Sequence, residues 1–243
     1  MRKNPKKKIT RVDLKRAFIK TIPVMTGYVV LGFGYGMIMQ AKGFGILWSM
    51  GMSLFLFTGT MQFVAIGLFT GGASLLTTAL TTLAVSARHL FYGISMVDRY
   101  KGARRKPFII FTLSDETYAL VSNRLDTDEM EPGERDNYFF LVSLFDYCYW
   151  AIGTAAGSVT GALLDFNTEG IDFALTALFI SIFVDQWIAT KDHAPAVFGV
   201  VISAAMLFIA GPDNFLIPSM ILITVALTLM RKRLDGGEGG SDE

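Results

Sequence analysis

The sequence predicts an all-α integral membrane protein, a polytopic helical bundle with six to eight apolar segments, some of them discontinuous or re-entrant. Of the 243 residues, 52% are hydrophobic and 18% are charged, and the mean hydropathy is +0.45. From Thr21 to Val97 the only charged side chains are Lys42 and Arg88. A hydrocarbon core about 30 Å thick takes about 20 apolar residues per helix, so this run has room for three spans.

The charges are segregated, so the net charge of +1 says little about partners. Nine of the 22 Lys and Arg residues lie in the first 20 positions. A basic terminus in front of apolar spans is typical of a segment held in the cytoplasm against anionic lipid, rather than of nucleic-acid binding. The single cysteine, Cys148, excludes an internal disulfide, and with only two His residues the sequence predicts no metal site and no cofactor.

Three regions follow from this pattern: a basic cytoplasmic segment at 1–20, a single transmembrane transport domain at 21–230, and a polar tail at 231–243. Within the middle region hydropathy separates eight apolar segments. They are 21–41, 44–69, 72–97, 107–123, 138–164, 171–190, 194–210 and 215–230.

Basic residues in short loops predict the orientation, since such loops stay in the cytoplasm. The loop at 98–106 holds five Lys or Arg residues, and Arg231 to Arg233 are basic at the other end. Two cytoplasmic termini require an even number of crossings. Eight crossings would leave 98–106 outside, whereas six bring it inside if segments three and four are re-entrant or broken. We favour six crossings in the cell membrane.

Small residues recur at helical spacing. Gly32 and Gly36 lie four apart in the first segment, and Gly153, Gly157 and Gly161 repeat the spacing in the fifth. Such stripes let a neighbouring helix approach closely, and we expect ordinary packing within the chain.

A weak internal similarity joins residues 79–86 to residues 174–181. Repeats are common in transporters. Ala, Leu and Thr are frequent in membrane helices, so chance accounts for this match more readily than duplication does.

Arg88 and His89 are ionisable residues within the third segment. Such residues usually face a bundle interior or a cavity, because their transfer into lipid costs several kcal/mol. On a helix Tyr92 can share a face with both. Arg88 could bind a carboxylate and His89 could relay protons. The alternative is that Arg88 reaches the interface and His89 is a satisfied core group.

Asp115 and Glu116 are adjacent carboxylates in the weakly apolar fourth segment. They could pair with Arg88, bind the ammonium group of a zwitterion, or share a proton. They could also begin a helix, with Ser114 as its N-cap. Both interpretations fit a discontinuous helix that ends at membrane depth.

Thr58, Gly59 and Gln62 form an uncharged polar break inside the second segment. Gly59 weakens a helix there, and the polar groups could meet a substrate or bond another helix. Asp146 in the fifth segment is a further candidate for a substrate or proton path. Asp185 and Trp187 are better explained by a position near the membrane interface.

Several enzyme signatures are absent from the sequence. It contains no nucleotide-binding P-loop, no G-x-S-x-G elbow and no H-E-x-x-H pair. A polar path without a catalytic constellation favours transport, and we expect no enzymatic activity.

At these residues the sequence resembles the AzlC family, the large subunit of branched-chain amino acid exporters. The similarity runs from Pro23 to about Thr228. It rests on the glycine-rich stretch 27–36 and on the motifs at 58–62, 87–93, 114–119, 170–174 and 183–187.

The resemblance implies export of leucine, isoleucine and valine, with methionine as a further candidate, together with a small hydrophobic subunit of the AzlD type. It assigns no substrate residues, so the site prediction rests on the physical arguments above. A non-transporting scaffold or regulatory subunit in the membrane is the alternative.

Overall fold

The computed structural model describes residues 7–123, 127–164, 180, 183–184, 187–188, 193–211 and 215–234, and their regular secondary structure is entirely helical. The helices are α1 (Arg11–Ala41), α2 (Ile46–Phe55), α3 (Gly59–Thr70), α4 (Leu75–Ser95), α5 (Lys106–Phe111), α6 (Asp115–Ser122), α7 (Pro132–Leu163), α8 (Ala194–Ala210) and α9 (Leu216–Leu234). The chain divides into two compact units, Met1–Ile171 and Asp172–Glu243.

Among the described helices, α1 and α7 are long and apolar enough to cross a membrane, with 31 and 32 residues. At 1.5 Å per residue each is about 46–48 Å long, which exceeds a hydrocarbon core. The two helices run in the same direction. Phe18 packs against Phe145 near their beginnings, with ring centroids 5.9 Å apart, and Gln40 lies against Gly161 near their ends.

Glycines allow α1 and α7 to approach closely. A Cβ atom on Gly32 would lie 2.8 Å from the carbonyl oxygen of Trp150, and one on Gly153 would lie 2.6 Å from that of Val29. Gly36 and Gly157 are equally confined by the backbone of the facing helix. The expected packing within the chain is therefore confirmed for these glycines.

One end of the first unit collects its charged loops, and we call it the basic end. Three stretches of chain form it: residues 7–10, 96–105 and 127–137. Asn137 donates from Nδ2 to the Lys7 carbonyl oxygen at 3.4 Å, and Asp136 accepts from the Arg104 backbone N–H at 3.2 Å. The basic 98–106 loop and the N-terminal segment thus lie at the same end, as the six-crossing prediction requires.

Helices α2 and α3 form a first hairpin, which starts and ends opposite the basic end. Phe44, just before α2, packs against Phe69, at the end of α3, with ring centroids 5.9 Å apart. The arms are antiparallel, because Gln62 of α3 donates from Nε2 to the carbonyl oxygens of Leu56 (2.5 Å) and Met52 (3.3 Å). The second apolar segment therefore folds back on itself.

Helices α5 and α6 form a second hairpin, which starts and ends at the basic end. The Arg105 guanidinium lies 4.1 Å from the ring centroid of Phe140, and Phe111 packs against Tyr147 further along α7. Helix α5 therefore runs inward along α7. Beyond α6 the chain returns to the basic end, where Thr127 Oγ1 accepts a hydrogen bond from Arg99 Nη2.

Helix α4 connects the two hairpins across the unit. Ser74 caps it by accepting from the Thr77 N–H at 3.1 Å, and the helix continues without a break to Ser95. Its 21 residues span about 31 Å. The prediction that segment three is re-entrant or broken is wrong, whereas the break predicted in segment four is confirmed. The polar side chains of segment three form hydrogen bonds with neighbouring helices, and the helical backbone of the segment stays continuous.

Helices α1–α2–α3 and α4–α5–α6 have the same arrangement, in which a long helix is followed by a hairpin of two short helices. The two sets run in opposite directions along the unit. Their hairpins turn at three-residue tips: the first tip is 56–58 and the second tip is 112–114. At each tip a backbone N–H bonds the carbonyl oxygen two residues earlier, over 2.7 Å in the first tip and 3.0 Å in the second. Inverted repeats of this kind are typical of secondary transporters.

The weak similarity between residues 79–86 and 174–181 is a separate matter. Its second half lies almost wholly outside the described residues. Most of the predicted apolar segment 171–190, including Asp185, also lies outside them. In the second unit α8 matches the predicted segment 194–210, and the Trp187 and His193 rings stack with centroids 4.0 Å apart.

The first hairpin can be tested by crosslinking. In a Cys148→Ser background we expect the pair Phe44→Cys and Phe69→Cys to be joined by a short bis-methanethiosulfonate reagent, because both ends of the hairpin meet. A continuous helix would separate these positions by about 37 Å. Protection from a maleimide-polymer mass shift measures the crosslink. The pair Phe44→Cys and Phe57→Cys should stay unlinked; equal linkage of both pairs would contradict the hairpin.

Candidate functional site

The two hairpin tips meet in the interior of the first unit, against α1 and α7. The Tyr28 ring of α1 packs edge-on to Phe57 of the first tip, with centroids 6.3 Å apart, and its hydroxyl donates to Ser114 Oγ of the second tip at 2.6 Å. From α7, the Tyr147 ring contacts Phe57 at 5.2 Å and its hydroxyl donates to the Leu54 carbonyl oxygen at 3.0 Å. The tips of the two hairpins, which come from opposite ends of the unit, thus meet beside Tyr28 and Tyr147.

An ion pair joins α4 to the second hairpin beside these tips. Arg88 Nη1 lies 2.9 Å from Asp115 Oδ2, and Arg88 Nη2 donates to Thr60 Oγ1 of the first hairpin at 2.9 Å. The predicted pairing of a carboxylate in segment four with Arg88 is present, with Asp115 as the partner. One arginine therefore contacts both hairpins.

This ion pair keeps free hydrogen-bonding capacity. Arg88 Nε and Asp115 Oδ1 have no hydrogen-bond partner among the described residues. The side chains are about a third exposed, 39% for Arg88 and 32% for Asp115. One donor atom and one acceptor atom of the pair, both buried, are thus left without a partner among the described residues.

A chain of hydroxyl groups runs from the second tip to α7. Tyr28 donates to Ser114, Ser114 Oγ donates to Thr117 Oγ1 at 2.9 Å, and Thr117 Oγ1 donates to Asp146 Oδ2 at 2.7 Å. The Tyr28 hydroxyl also lies 2.6 Å from Glu116 Oε2. A continuous line of short hydrogen bonds therefore connects two carboxyl groups.

The two carboxyl groups differ in exposure. Asp146 is 0% exposed, and its Oδ1 atom has no hydrogen-bond partner within the described part of the chain. Glu116 is exposed at the surface of the unit. Ser114 also caps α6 by accepting from the Thr117 N–H at 3.1 Å, so the capping role predicted for Ser114 is confirmed alongside the contacts of its two acidic neighbours.

Gln62 is buried, 1% exposed, and braces the first tip. Besides its two bonds to carbonyl oxygens of the break, its Oε1 atom accepts from Trp150 Nε1 at 3.0 Å. Gly59 packs on the same indole, and a Cβ atom there would lie 2.9 Å from Trp150 Cη2. Thr58 is the N-cap residue of α3, although its side chain makes no capping bond. Gln62, Gly59 and Thr58 thus belong to the structure of the break between α2 and α3. Their part in a substrate path stays a prediction.

His89 and Tyr92 lie beside the ion pair and share a face, as their spacing predicts. The two rings are 5.8 Å apart, and Tyr92 stacks on Tyr118 of α6 at 4.5 Å. His89 Nδ1 lies 3.2 Å from the Ser86 carbonyl oxygen. In the described residues no hydrogen bond joins His89 to Asp115 or Glu116, so its predicted relay has no direct contact with them.

Several site residues were missed by sequence reasoning: Tyr28, Thr60, Thr117 and Tyr147. Thr60 and Thr117 lie inside motifs that the sequence singles out, so their neighbours could have indicated them. The two tyrosines gave no signal, because an aromatic residue in an apolar helix is most often ordinary packing. The described residues contain no group of three or more His, Cys, Asp or Glu side chains arranged to hold a metal ion.

Comparison with known proteins identifies the class. The AzlC protein family matches residues 23–164, which include both hairpins, α4, the whole of α7 and most of α1. The branched-chain amino acid transport protein AzlC of Bacillus subtilis is 39% identical over 92% of this chain and 87% of its own length. The chain belongs to the AzlC family, and a role in membrane transport follows.

Other relatives are also named as membrane proteins. An uncharacterized membrane protein of Helicobacter pylori is 37% identical over 91% of this chain and 96% of its own length. The inner membrane protein YgaZ of Escherichia coli is 26% identical over 83% of this chain and 82% of its own. No solved structure matches. The chain is a membrane protein, in agreement with its apolar helices.

The bracing role of Gln62 is testable by stability. We expect Gln62→Met to destabilise the protein by about 1–3 kcal/mol, because it leaves buried carbonyl and indole groups without partners. The apparent thermal midpoint in detergent, followed by size-exclusion chromatography of heated samples, measures the loss. Gln40→Met is the matched control, since Gln40 Oε1 accepts no hydrogen bond in the described structure. Equal midpoints for the two variants would refute the bracing role.

Proposed function

We propose that this protein exports branched-chain amino acids, namely leucine, isoleucine and valine, with methionine as a further substrate. It acts as the large subunit, together with a small hydrophobic membrane protein of the AzlD type. Membership of the AzlC family and the name of the Bacillus relative support the substrate class. The observation that carries the proposal is the Arg88–Asp115 ion pair at the meeting point of two hairpins from opposite ends.

The ion pair has the chemistry that an amino acid zwitterion requires. The substrate carboxylate would bind Arg88, with Nε as an additional donor, and its ammonium group would bind Asp115, with Oδ1 as an additional acceptor. The substrate then replaces an interaction that the empty protein makes internally. The charged groups therefore remain paired in both states, which limits the electrostatic cost of emptying the site in a low-dielectric interior.

Aromatic side chains around the tips supply the apolar part of the proposed site. Phe57 and Phe111 both pack against Tyr147 there. An aliphatic side chain gains about 25 cal/mol per Å² of apolar surface that it buries, which favours leucine-sized substrates over polar ones. Thr58, Gly59, Gln62, His89 and Tyr92 lie at the margin of this site, as shape-determining residues.

The proposal includes a topology. Basic loops stay in the cytoplasm, so the basic end of the first unit is cytoplasmic. Helices α1 and α7 cross the membrane. We assign a crossing to α4 as well, although it does not reach the apolarity of those two, because its 21 residues connect hairpins at opposite ends of the unit. The two hairpins do not cross. Three further crossings in the remaining apolar segments bring the C-terminus back to the cytoplasm, for six in all. The first and second hairpins then enter from the outside and the inside, respectively.

The direct test is efflux of preloaded labelled leucine from cells that lack their own exporters. We expect faster efflux when this chain is expressed with its AzlD-type partner, and not with either alone. Arg88→Gln and Asp115→Asn should lower the rate about tenfold to a hundredfold, because a hydrogen bond to a charged group contributes about 1.5–3 kcal/mol.

Arg11→Gln and Asp98→Asn are matched controls, since they remove the same charges from exposed positions at the basic end. If inserted wild-type protein and partner export none of the four amino acids, the substrate assignment is wrong. Wild-type efflux that survives Arg88→Gln and Asp115→Asn would instead favour a scaffold or regulatory subunit.

A further inference from the structure

We infer that Asp146 is the proton-carrying carboxyl group of this transporter, and that Tyr28, Ser114 and Thr117 connect it to Glu116. The inference rests on the proposed transport function and adds its energy coupling. It replaces His89 as the centre of proton coupling, because His89 makes no hydrogen bond to a carboxyl group in the described residues.

Three hydrogen bonds of the chain point from Tyr28 towards Asp146, while at the other end the Tyr28 hydroxyl is also placed to donate to Glu116 Oε2 at 2.6 Å. The Tyr28 hydroxyl donates to Ser114, Ser114 donates to Thr117, and Thr117 donates to Asp146, over 2.6, 2.9 and 2.7 Å. Each hydroxyl has one proton to give and a lone pair to receive another. Because every oxygen lies within hydrogen-bond distance of the next, protons can pass along the chain without the movement of any heavy atom.

Asp146 is the last acceptor in this line of hydroxyl groups. It is fully buried, its Oδ2 atom receives a hydrogen bond from Thr117, and its Oδ1 atom has no partner in the described structure. A carboxylate in such a position is costly to keep charged, and binding a proton removes that cost. Arg88, the arginine beside the tips, is paired with Asp115 and Thr60.

The groups that face Asp146 come from three helices. Helix α6 contributes the Thr117 hydroxyl and the Glu116 carboxyl, and α1 contributes the Tyr28 phenol. Helix α7 itself contributes the Tyr149 phenol, which is hydrogen-bonded to Thr21 of α1 at 3.1 Å. A negative charge on Glu116 adds to the cost of a charged Asp146.

The proton balance is simple. Glu116 takes a proton from water at the exposed surface and passes it to Tyr28, whose own O–H turns from Glu116 to Ser114. Each hydroxyl gives its own proton to the next, Thr117 gives its proton to the Asp146 carboxylate, and Glu116 is a carboxylate again at the end. The sum is one proton moved from solvent to Asp146, with no other bond changed.

The same tip couples the proton to the substrate. Ser114 belongs to the hydroxyl chain, and the next residue, Asp115, binds the substrate ammonium in the proposed function. In this proposal, a movement of the second tip to admit the substrate would separate Ser114 from Tyr28 and interrupt the chain. Substrate binding and proton delivery to Asp146 would then exclude each other, which is the requirement for exchange of one proton against one amino acid.

The test uses purified protein with its partner subunit in proteoliposomes. Exchange of internal labelled leucine for external leucine needs no net proton movement, whereas net efflux driven by an imposed pH gradient does. We expect Asp146→Asn to keep exchange and to lose the stimulation by the gradient. Thr117→Val should lose the stimulation as well, and Thr117→Ser should keep it because the hydroxyl remains.

Tyr149→Phe is the matched control, since it removes a buried hydroxyl beside Asp146 that is not in the chain; it should behave like wild type. An Asp146→Asn variant with the full gradient response would overturn the inference, as would wild-type protein that exchanges leucine but ignores the gradient. If Asp146→Asn fails to fold, the comparison of Thr117→Val with Thr117→Ser tests the inference instead.

A separate readout decides the matter if wild-type protein moves no leucine, in which case the proposed function has failed. Infrared difference titration detects the carbonyl stretch of a buried protonated carboxyl group. Loss of that band in Asp146→Asn, and not in Tyr149→Phe, would support the proton site by itself. A band unchanged by Asp146→Asn, or no such band in wild type, would overturn it.

Discussion

Backbone groups released inside the bundle must find partners in the protein, and this requirement shapes the first unit. A helix that stops in a membrane interior leaves carbonyl and N–H groups that lipid cannot bond. At the first tip Gln62 donates to two carbonyl oxygens and Tyr147 to a third. At the second tip Ser114 caps α6 and receives the Tyr28 hydroxyl. The same polar side chains make the surroundings of the breaks hydrophilic, as the proposed substrate site requires.

Close contact between α1 and α7 brings these partners together. Because glycines bring the two backbones into contact, Tyr28 on one helix and Asp146 and Trp150 on the other surround the same two tips. A larger residue at Gly157 would meet the Phe33 backbone and push the helices apart. The helix pair thus serves as a frame, while the hairpins are short and meet it through a few side-chain bonds. That division suits a transporter in which the tips move and the frame does not.

Much of this arrangement was predictable from the sequence, and the remainder has a physical reason. Low charge located the apolar segments, Gly59 indicated the break beside it, and the cost of buried charge singled out Arg88, Asp115 and Asp146. Hydropathy gives the length of a segment but not its direction, so it could not show that the second segment folds back. In segment three, polar side chains on an intact helix imitate a break, so the sequence predicts an interruption there as well as in segment four. The role of Tyr28 depends on three-dimensional contacts alone.

Access to the hairpin tips is the most direct test of the account. With Cys148→Ser as background, Thr60→Cys is labelled by a membrane-impermeant thiol reagent from each side of oriented vesicles, with and without leucine. The proposed function requires the tips to open alternately, so we expect labelling from either side and protection by leucine but not by glutamate. Labelling from one side only, at a rate that leucine leaves unchanged, would contradict a substrate site between the tips.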